Sequence, residues 1–190
     1  MGKNILCIQS SPRRNSNSSL LAEAVLEGAE ENGGKADVIR LVERNINGCH
    51  GCFACARSDK GCVQRDGMTD LYPLIVAADA LVLATPIYYF NMSGQLKTFI
   101  DRCIAVDLGG KDGGRRGLSG KKLAVTLAYE DEDPFASGCV NALRCFQDIC
   151  RYTGMELKGQ VYGTALEPGA ILANRQLLEE ARELGRKLLS

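Results

Sequence analysis

The sequence carries no net charge, because 23 basic residues balance 23 acidic ones over 190 positions. That balance removes the one-sided electrostatic footprint with which a protein meets nucleic acid or an anionic membrane, so neither is expected as a partner. No apolar run approaches the roughly 18 residues of a membrane span. The first residues lack the basic, apolar and cleavage-site succession of a secretory signal, and a cytoplasmic protein is expected. Internal repeats, the glycine fingerprint of a dinucleotide-binding turn and a phosphate-loop lysine are all missing. Histidine occurs once, at His50, with no carboxylate partner evident; it reads as a solvated loop residue, with a ligand or proton-relay role as the alternative.

Cysteine is plentiful by contrast. Nine occur, and in a reducing compartment clustered cysteines more often mean metal or redox chemistry than disulfides. The remaining composition, 45% apolar and 24% charged, is that of an ordinary globular protein, and the length suits a single domain over 1–190.

Short β-rich runs at Asn4–Gln9, Ala36–Leu41, Ala80–Ala84, Leu123–Leu127 and Gln160–Ala165 alternate with segments of helical period. A helix is expected from Ser18 or Ser19, with Leu20, Leu21, Ala24, Val25 and Gly28 on one face and Gly33-Gly34 as its stop. Further stripes stand at Val140, Leu143, Phe146 and Cys150, and at Leu177, Leu178, Ala181, Leu184 and Leu188. Strands alternating with helices predict an α/β fold, a doubly wound five-stranded parallel sheet with helices on both faces. In such sheets ligands sit beyond the carboxyl ends of the strands, so the loops there should carry the function.

The loop after the first strand, Ser10 to Ser19, holds five serines, two asparagines and two arginines and runs into a helix N-terminus. Free N–H groups and the helix dipole favour a phosphate there, with Ser11, Arg13, Ser16, Asn17 and Ser18 as candidate ligands. An ordinary polar loop with a serine cap is the alternative. After the third strand, Pro86, Ile87, Tyr88, Tyr89, Phe90 and Asn91 form an aromatic and apolar segment, with Pro86 expected to fix the turn and Ser93-Gly94 to open a helix. Such groups suit a planar ring, although core packing would also use them.

On the serine-rich loop and the Thr85–Lys97 segment, continuing through Phe99 to Asp101-Arg102, the chain resembles the flavodoxin-like NADPH-dependent FMN reductases. The resemblance spans about residues 4 to 130 and implies a flavodoxin-like fold, FMN as cofactor, NADH or NADPH as co-substrate, and a flavin, quinone or similar small-molecule or protein electron acceptor. It implies a homodimer or homotetramer, with the flavin pocket completed by a neighbouring subunit. Flavin chemistry of this kind requires no catalytic acid or base from the protein.

Cys49, Cys52, Cys55 and Cys62 stand as Cys-x2-Cys-x2-Cys-x6-Cys in a loop over 48–67. Four thiolates so close together can wrap one iron-sulfur cluster, and a structural zinc site is a second possibility. The pattern resembles the iron-sulfur flavoproteins, a branch of the same superfamily, and so implies a 4Fe-4S cluster beside FMN. Gly48-Cys49-His50-Gly51-Cys52-Phe53-Ala54-Cys55 with Asp66-Gly67-Met68 also resembles cluster-free flavin reductases, which leaves free or redox-active thiols open. Gly48, Gly51 and Gly61 stand where a loop folded round a cluster would turn. Cys7 falls in the first strand, and Cys103, Cys139, Cys145 and Cys150 in expected helices, where packing is their default role. The stretch 109–117, with Lys111, Arg115 and Arg116, reads as a solvated loop or a contact for an anionic group, and Tyr129–Asp133 as a border of the flavin. Two other classes stay open: a flavodoxin-type electron carrier, normally strongly acidic, and a zinc-binding module.

Overall fold

A computed structural model of the protein describes residues 3–57, 60–108 and 117–190, so nearly all of the glycine-rich stretch lies outside the described residues. Five strands run parallel: β1 (Asn4–Gln9), β2 (Lys35–Arg40), β3 (Ala80–Tyr88), β5 (Lys122–Tyr129) and β6 (Glu156–Thr164). A two-residue strand, β4 (Asn91–Met92), folds back antiparallel on the end of β3. The order across the sheet is β2-β1-β3-β5-β6. Counting only the long strands, that is the 2-1-3-4-5 order of the flavodoxin-like fold, whose direction reverses between β1 and β3.

Helices α1 (Asn17–Glu30) and α7 (Arg175–Leu188) cover one face; α3 (Leu71–Ala77), α4 (Gly94–Arg102), α5 (Ile104–Asp107) and α6 (Cys139–Thr153) cover the other, and a single turn, α2 (Ala54–Arg57), lies in the cysteine loop. Side chains alternate along the central strands as the pleat requires. Ile5, Cys7, Val82 and Ala124 face α1 and α7, while Leu6, Ile8, Leu83 and Val125 face the opposite helices. Both faces of the sheet are therefore buried along its central strands, each buried large aliphatic side chain contributing about 1.5–3 kcal/mol. Where α1 crosses α7, a β-carbon on Gly28 would lie 2.0 Å from the Arg182 carbonyl oxygen, and one on Gly185 would lie 2.0 Å from that of Val25. The two backbones approach this closely because neither position carries a side chain.

Several expectations need adjustment. α1 begins earlier than Ser18, because the Ser16 hydroxyl accepts from the Ser19 N–H and caps the helix ahead of that point. β2 is shifted by one residue, since Leu41 buries its side chain in a 3-10 turn. β3 runs through Pro86 to Tyr88, so Pro86 sits inside a strand and does not fix the turn. It is tolerated because β1 stops pairing at Ala84, which leaves no ladder partner waiting for its missing N–H on that side. β6 starts four residues before the expected point. Cys103 lies at the turn between α4 and α5, not within a helix.

Candidate functional site

At the β1/β3 switch point a cleft of about 110 Å³ opens beyond the strand ends. Its walls include Ser11, Arg13, Ser16, Asn17 and Ser18 from the loop after β1, and Pro86, Ile87 and Tyr88 from the end of β3. The two segments read separately in the sequence thus meet in one place. The turn at Tyr89-Phe90 and Asn91 stand outside this lining. Tyr89 is 97% exposed, and its ring meets that of Phe90 edge-on at 5.8 Å.

The local geometry separates support from ligand-facing groups. Asn17 spends its side-chain amide on the chain after β6, donating to the Ala165 and Glu167 carbonyls at 3.0 and 2.9 Å and accepting from the Ile171 N–H. What it offers a ligand is its backbone N–H, which along with that of Ser18 lies in the first helical turn, where no preceding carbonyl is available. Ser16 is occupied as the cap, leaving Ser11, Ser18 and the exposed Arg13 as freer donors. The Arg13 guanidinium leans on the Leu166 carbonyl at 3.3 Å, holding it at the cleft's edge.

Beneath the floor runs a buried chain of hydroxyls. Ser93, the cap of α4, donates to Ser10 at 2.8 Å; Ser10 donates to the Ala84 carbonyl at 2.9 Å; and the Ser93 N–H donates to Thr85 at 3.0 Å. These bonds lock both cleft loops and the start of α4 together. Tyr129 and Glu130 border the cleft as expected, but Ala165, Leu166 and Pro168 after β6 carry no motif that marks them in the sequence. Their position beyond a strand's carboxyl end was the available signal.

The hairpin beside the cleft is strained. Tyr89 and Phe90 have φ of 49° and 69°, the left-handed pair of a two-residue hairpin turn that normally takes Asn-Gly. Bulky residues there cost on the order of 1–3 kcal/mol each, and such strain gathers at functional sites.

All four motif cysteines line a second, smaller cavity of about 40 Å³, together with His50, Phe53, Val63, Gln64, Arg102, Ile104 and Ala105. The loop makes its bends with Gly51 and Gly61 at φ of 64° and 69°, whereas Gly48 has no such conformation. Burial raises the Cys55 thiol, and the nearby Cys62, Cys49 and Cys52 raise it further. Cys62 goes the other way. Burial opposes its thiolate, but the Gln64 N–H, the Tyr72 hydroxyl and Arg102 outweigh burial and bring it below the usual thiol range.

No group of three His, Cys, Asp or Glu side chains among the described residues is set to hold a single ion. A donor set of four cysteines converging on one cavity matches what a cluster of several irons uses, each thiolate binding its own iron. Elsewhere burial pushes Cys7, Cys103 and Cys139 up to about 12 and Cys150 to about 11, which makes them inert packing groups.

Residues 3–144 match the sequence family described as NADPH-dependent FMN reductase. The chain belongs to the NADPH-dependent FMN reductase family. Membership makes it an FMN-linked, NAD(P)H-dependent oxidoreductase with a flavodoxin-like fold. An iron-sulfur flavoprotein of Archaeoglobus fulgidus is 31% identical to this chain over 183 residues, covering 95% of this chain and 76% of that one. An iron-sulfur flavoprotein of Methanosarcina thermophila is 35% identical over 97 residues, a match that spans 51% of this chain and 50% of the relative. Among solved structures, an NAD(P)H:quinone oxidoreductase from Methanothermobacter marburgensis superposes with a TM-score of 0.77 at 20% identity, covering 100% of this chain and 98% of the other, a likeness of fold. No helix among the described residues is long and apolar enough to cross a membrane.

Proposed function

We propose that the cleft binds FMN with its phosphate at Ser11, Arg13, Ser16, Asn17 and Ser18 and its ring along Pro86, Ile87 and Tyr88. Tyr89, Phe90 and Asn91 then form the outer rim of the ring site. Reducing equivalents enter from NADH or NADPH and leave to a small acceptor such as a quinone or free flavin. The meeting of the serine-rich loop and the aromatic segment in one cleft at the switch point carries this reading, because in sequence they stand about 70 residues apart.

The chain's own work is binding and orientation. First-turn N–H groups, hydroxyls and Arg13 meet a dianion where the dipole of α1 favours it. The apolar walls exclude water from the ring, and the Ser10–Thr85–Ser93 hydroxyls keep both walls in register. When bound, FMN supplies two-electron acceptance from a nicotinamide and release in one- or two-electron steps, and a 4Fe-4S cluster supplies single-electron steps. Cys49, Cys52, Cys55 and Cys62 are the residues that would hold such a cluster. The exposed rim residues fit a pocket completed by a second copy of the chain, in a homodimer or homotetramer, and the balanced charge and apolar-run lengths fit a cytoplasmic setting.

The test is anaerobic mixing of the FMN-loaded protein with NADH or NADPH. Bleaching of the flavin within seconds, reversed by a quinone, is the expected outcome. A bound flavin reduced by dithionite but not by either nicotinamide would replace this reading with that of an electron carrier.

A further inference from the structure

Arg102, the last residue of α4, is the largest fully buried side chain among the described residues and makes an ion pair with Asp66 in which the two side chains are 1% and 2% exposed. One guanidinium nitrogen donates to Asp66 Oδ2 at 2.6 Å and to the Asn47 carbonyl at 2.7 Å. The other donates to Asp66 Oδ1 at 3.1 Å and to Cys62 Sγ at 3.6 Å. Asp66 accepts in addition from the Asn47 and Met68 N–H groups, so one arginine closes both ends of the cysteine loop onto α4. Among the described residues, Cys62 is the one motif cysteine whose sulfur receives a hydrogen bond from a charged side chain; Cys49 Sγ receives one from the Gly51 N–H at 3.5 Å. The buried Tyr72 hydroxyl lies beside the same sulfur and guanidinium.

A structural arginine has no need to spend a buried donor on sulfur. Arg102 Nε is itself buried without a hydrogen-bond partner among the described residues, an unsatisfied donor that a purely stabilising pair would avoid. An added electron on a thiolate-ligated centre increases negative charge on the sulfurs, and hydrogen bonds to those sulfurs are among the levers that set its potential.

We propose that Arg102 is the positioning residue of the four-cysteine centre, clamping the loop through Asp66 and making Cys62 the electronically distinct ligand through its second nitrogen. This rests on the cluster reading above. The N–H directed at Cys62 favours the reduced state of the centre. Asp66 moderates the effect by neutralising the guanidinium charge.

Two substitutions separate the parts. Arg102→Lys keeps a cation beside Asp66 but lacks the fork needed to reach Asp66, Asn47 and Cys62 together. Asp66→Asn keeps the arginine and its bond to sulfur while removing the neutralising charge. The full-length protein and both variants would be reconstituted anaerobically with iron and sulfide, assayed for metal, and titrated for the cluster's midpoint potential by electron paramagnetic resonance. On the order of four irons per chain is expected for a cube held by four cysteines. Arg102→Lys should lower the potential by about tenfold in the one-electron equilibrium, about 59 mV, and Asp66→Asn should raise it. A merely structural role would not move the two in opposite directions; where Arg102→Lys fails to fold, Arg102→Gln takes its place, with the same fall in potential expected. Potentials unchanged, or shifted together, in iron-loaded variants overturn this inference alone. Wild-type protein that retains no iron overturns the cluster reading and this inference with it.

Discussion

The two ends of α4 are built in different ways. At its Ser93 end the cleft is made of strand termini and a helix start, whose backbones are already placed by the sheet and by the Ser10–Thr85–Ser93 hydroxyls. At its Arg102 end the cysteines sit on a loop whose longest helix is the four-residue α2, and one buried ion pair ties that loop down. A site borne by the sheet is located by topology. A site borne by a loop is located by whichever long-range contact holds the loop, and here nine helical residues, roughly 13 Å, separate the two arrangements.

The sharpest way to break this contrast is Arg102→Ala. It strands Asp66 as an uncompensated buried charge, so a loss of about 3–5 kcal/mol is expected in denaturant unfolding. Cys49, Cys52, Cys55 and Cys62 should then alkylate faster in the cluster-free protein, while FMN affinity stays within about twofold. A parallel loss of FMN affinity would show the two ends to be one cooperative unit.

Acid provides a gentler probe of the same pair. Burial works against the Asp66 carboxylate, but bonds from Arg102, Asn47 and Met68 outweigh it and hold its pKa at about 2. The group is depressed in the folded state relative to an unfolded value of about 3.9, so its stabilisation is complete above about pH 4 and is lost as the pH falls through about 2. Roughly 2 kcal/mol should disappear over that window in wild type and be missing from Asp66→Asn. Identical acid profiles for the two proteins would contradict the assignment.

The smallest effect belongs to the rim of the cleft. Tyr89→Gly relieves a left-handed conformation, and the thermal midpoint should rise slightly, for a gain of up to about 1 kcal/mol after the unfolded-state entropy of glycine is counted. If the rim serves the ring site, turnover with a quinone falls even as stability rises. Unchanged turnover would mark the hairpin as strained without use.

The same contrast between sheet and loop governs what the sequence makes legible. β1 is legible to the residue, since Ile5 to Ile8 form a continuous apolar run buried on both faces. The start of β6 is not, because Glu156 and Lys158 read as polar surface; it is an edge strand that draws its pairing from β5 past a bulge at Leu123/Ala124. The serine-rich loop of residues 10–19 is visible because its residues are consecutive and end at a helix. The supporting roles of Asn17 and Ser16 are hidden, since the partners of Asn17 lie 148 to 154 residues away and the choice of cap depends on where the helix begins. Arg102 reads in sequence as the tail of the flavin segment. Its partners stand 36 and 40 residues earlier in a different motif, a link that spacing cannot express.

The central claim is that the loop of residues 10–19 receives the phosphate end of FMN. Isothermal titration of FMN and of riboflavin into wild type and Ser11→Ala/Ser18→Ala tests it most directly, and sparing the Ser16 cap leaves α1 intact. Hydrogen bonds to a charged group contribute about 1.5–3 kcal/mol each, so FMN should bind at least about tenfold more weakly to the double variant while riboflavin, which lacks the phosphate, binds as before. Equal losses for the two ligands would place the wrong end of the flavin at this loop.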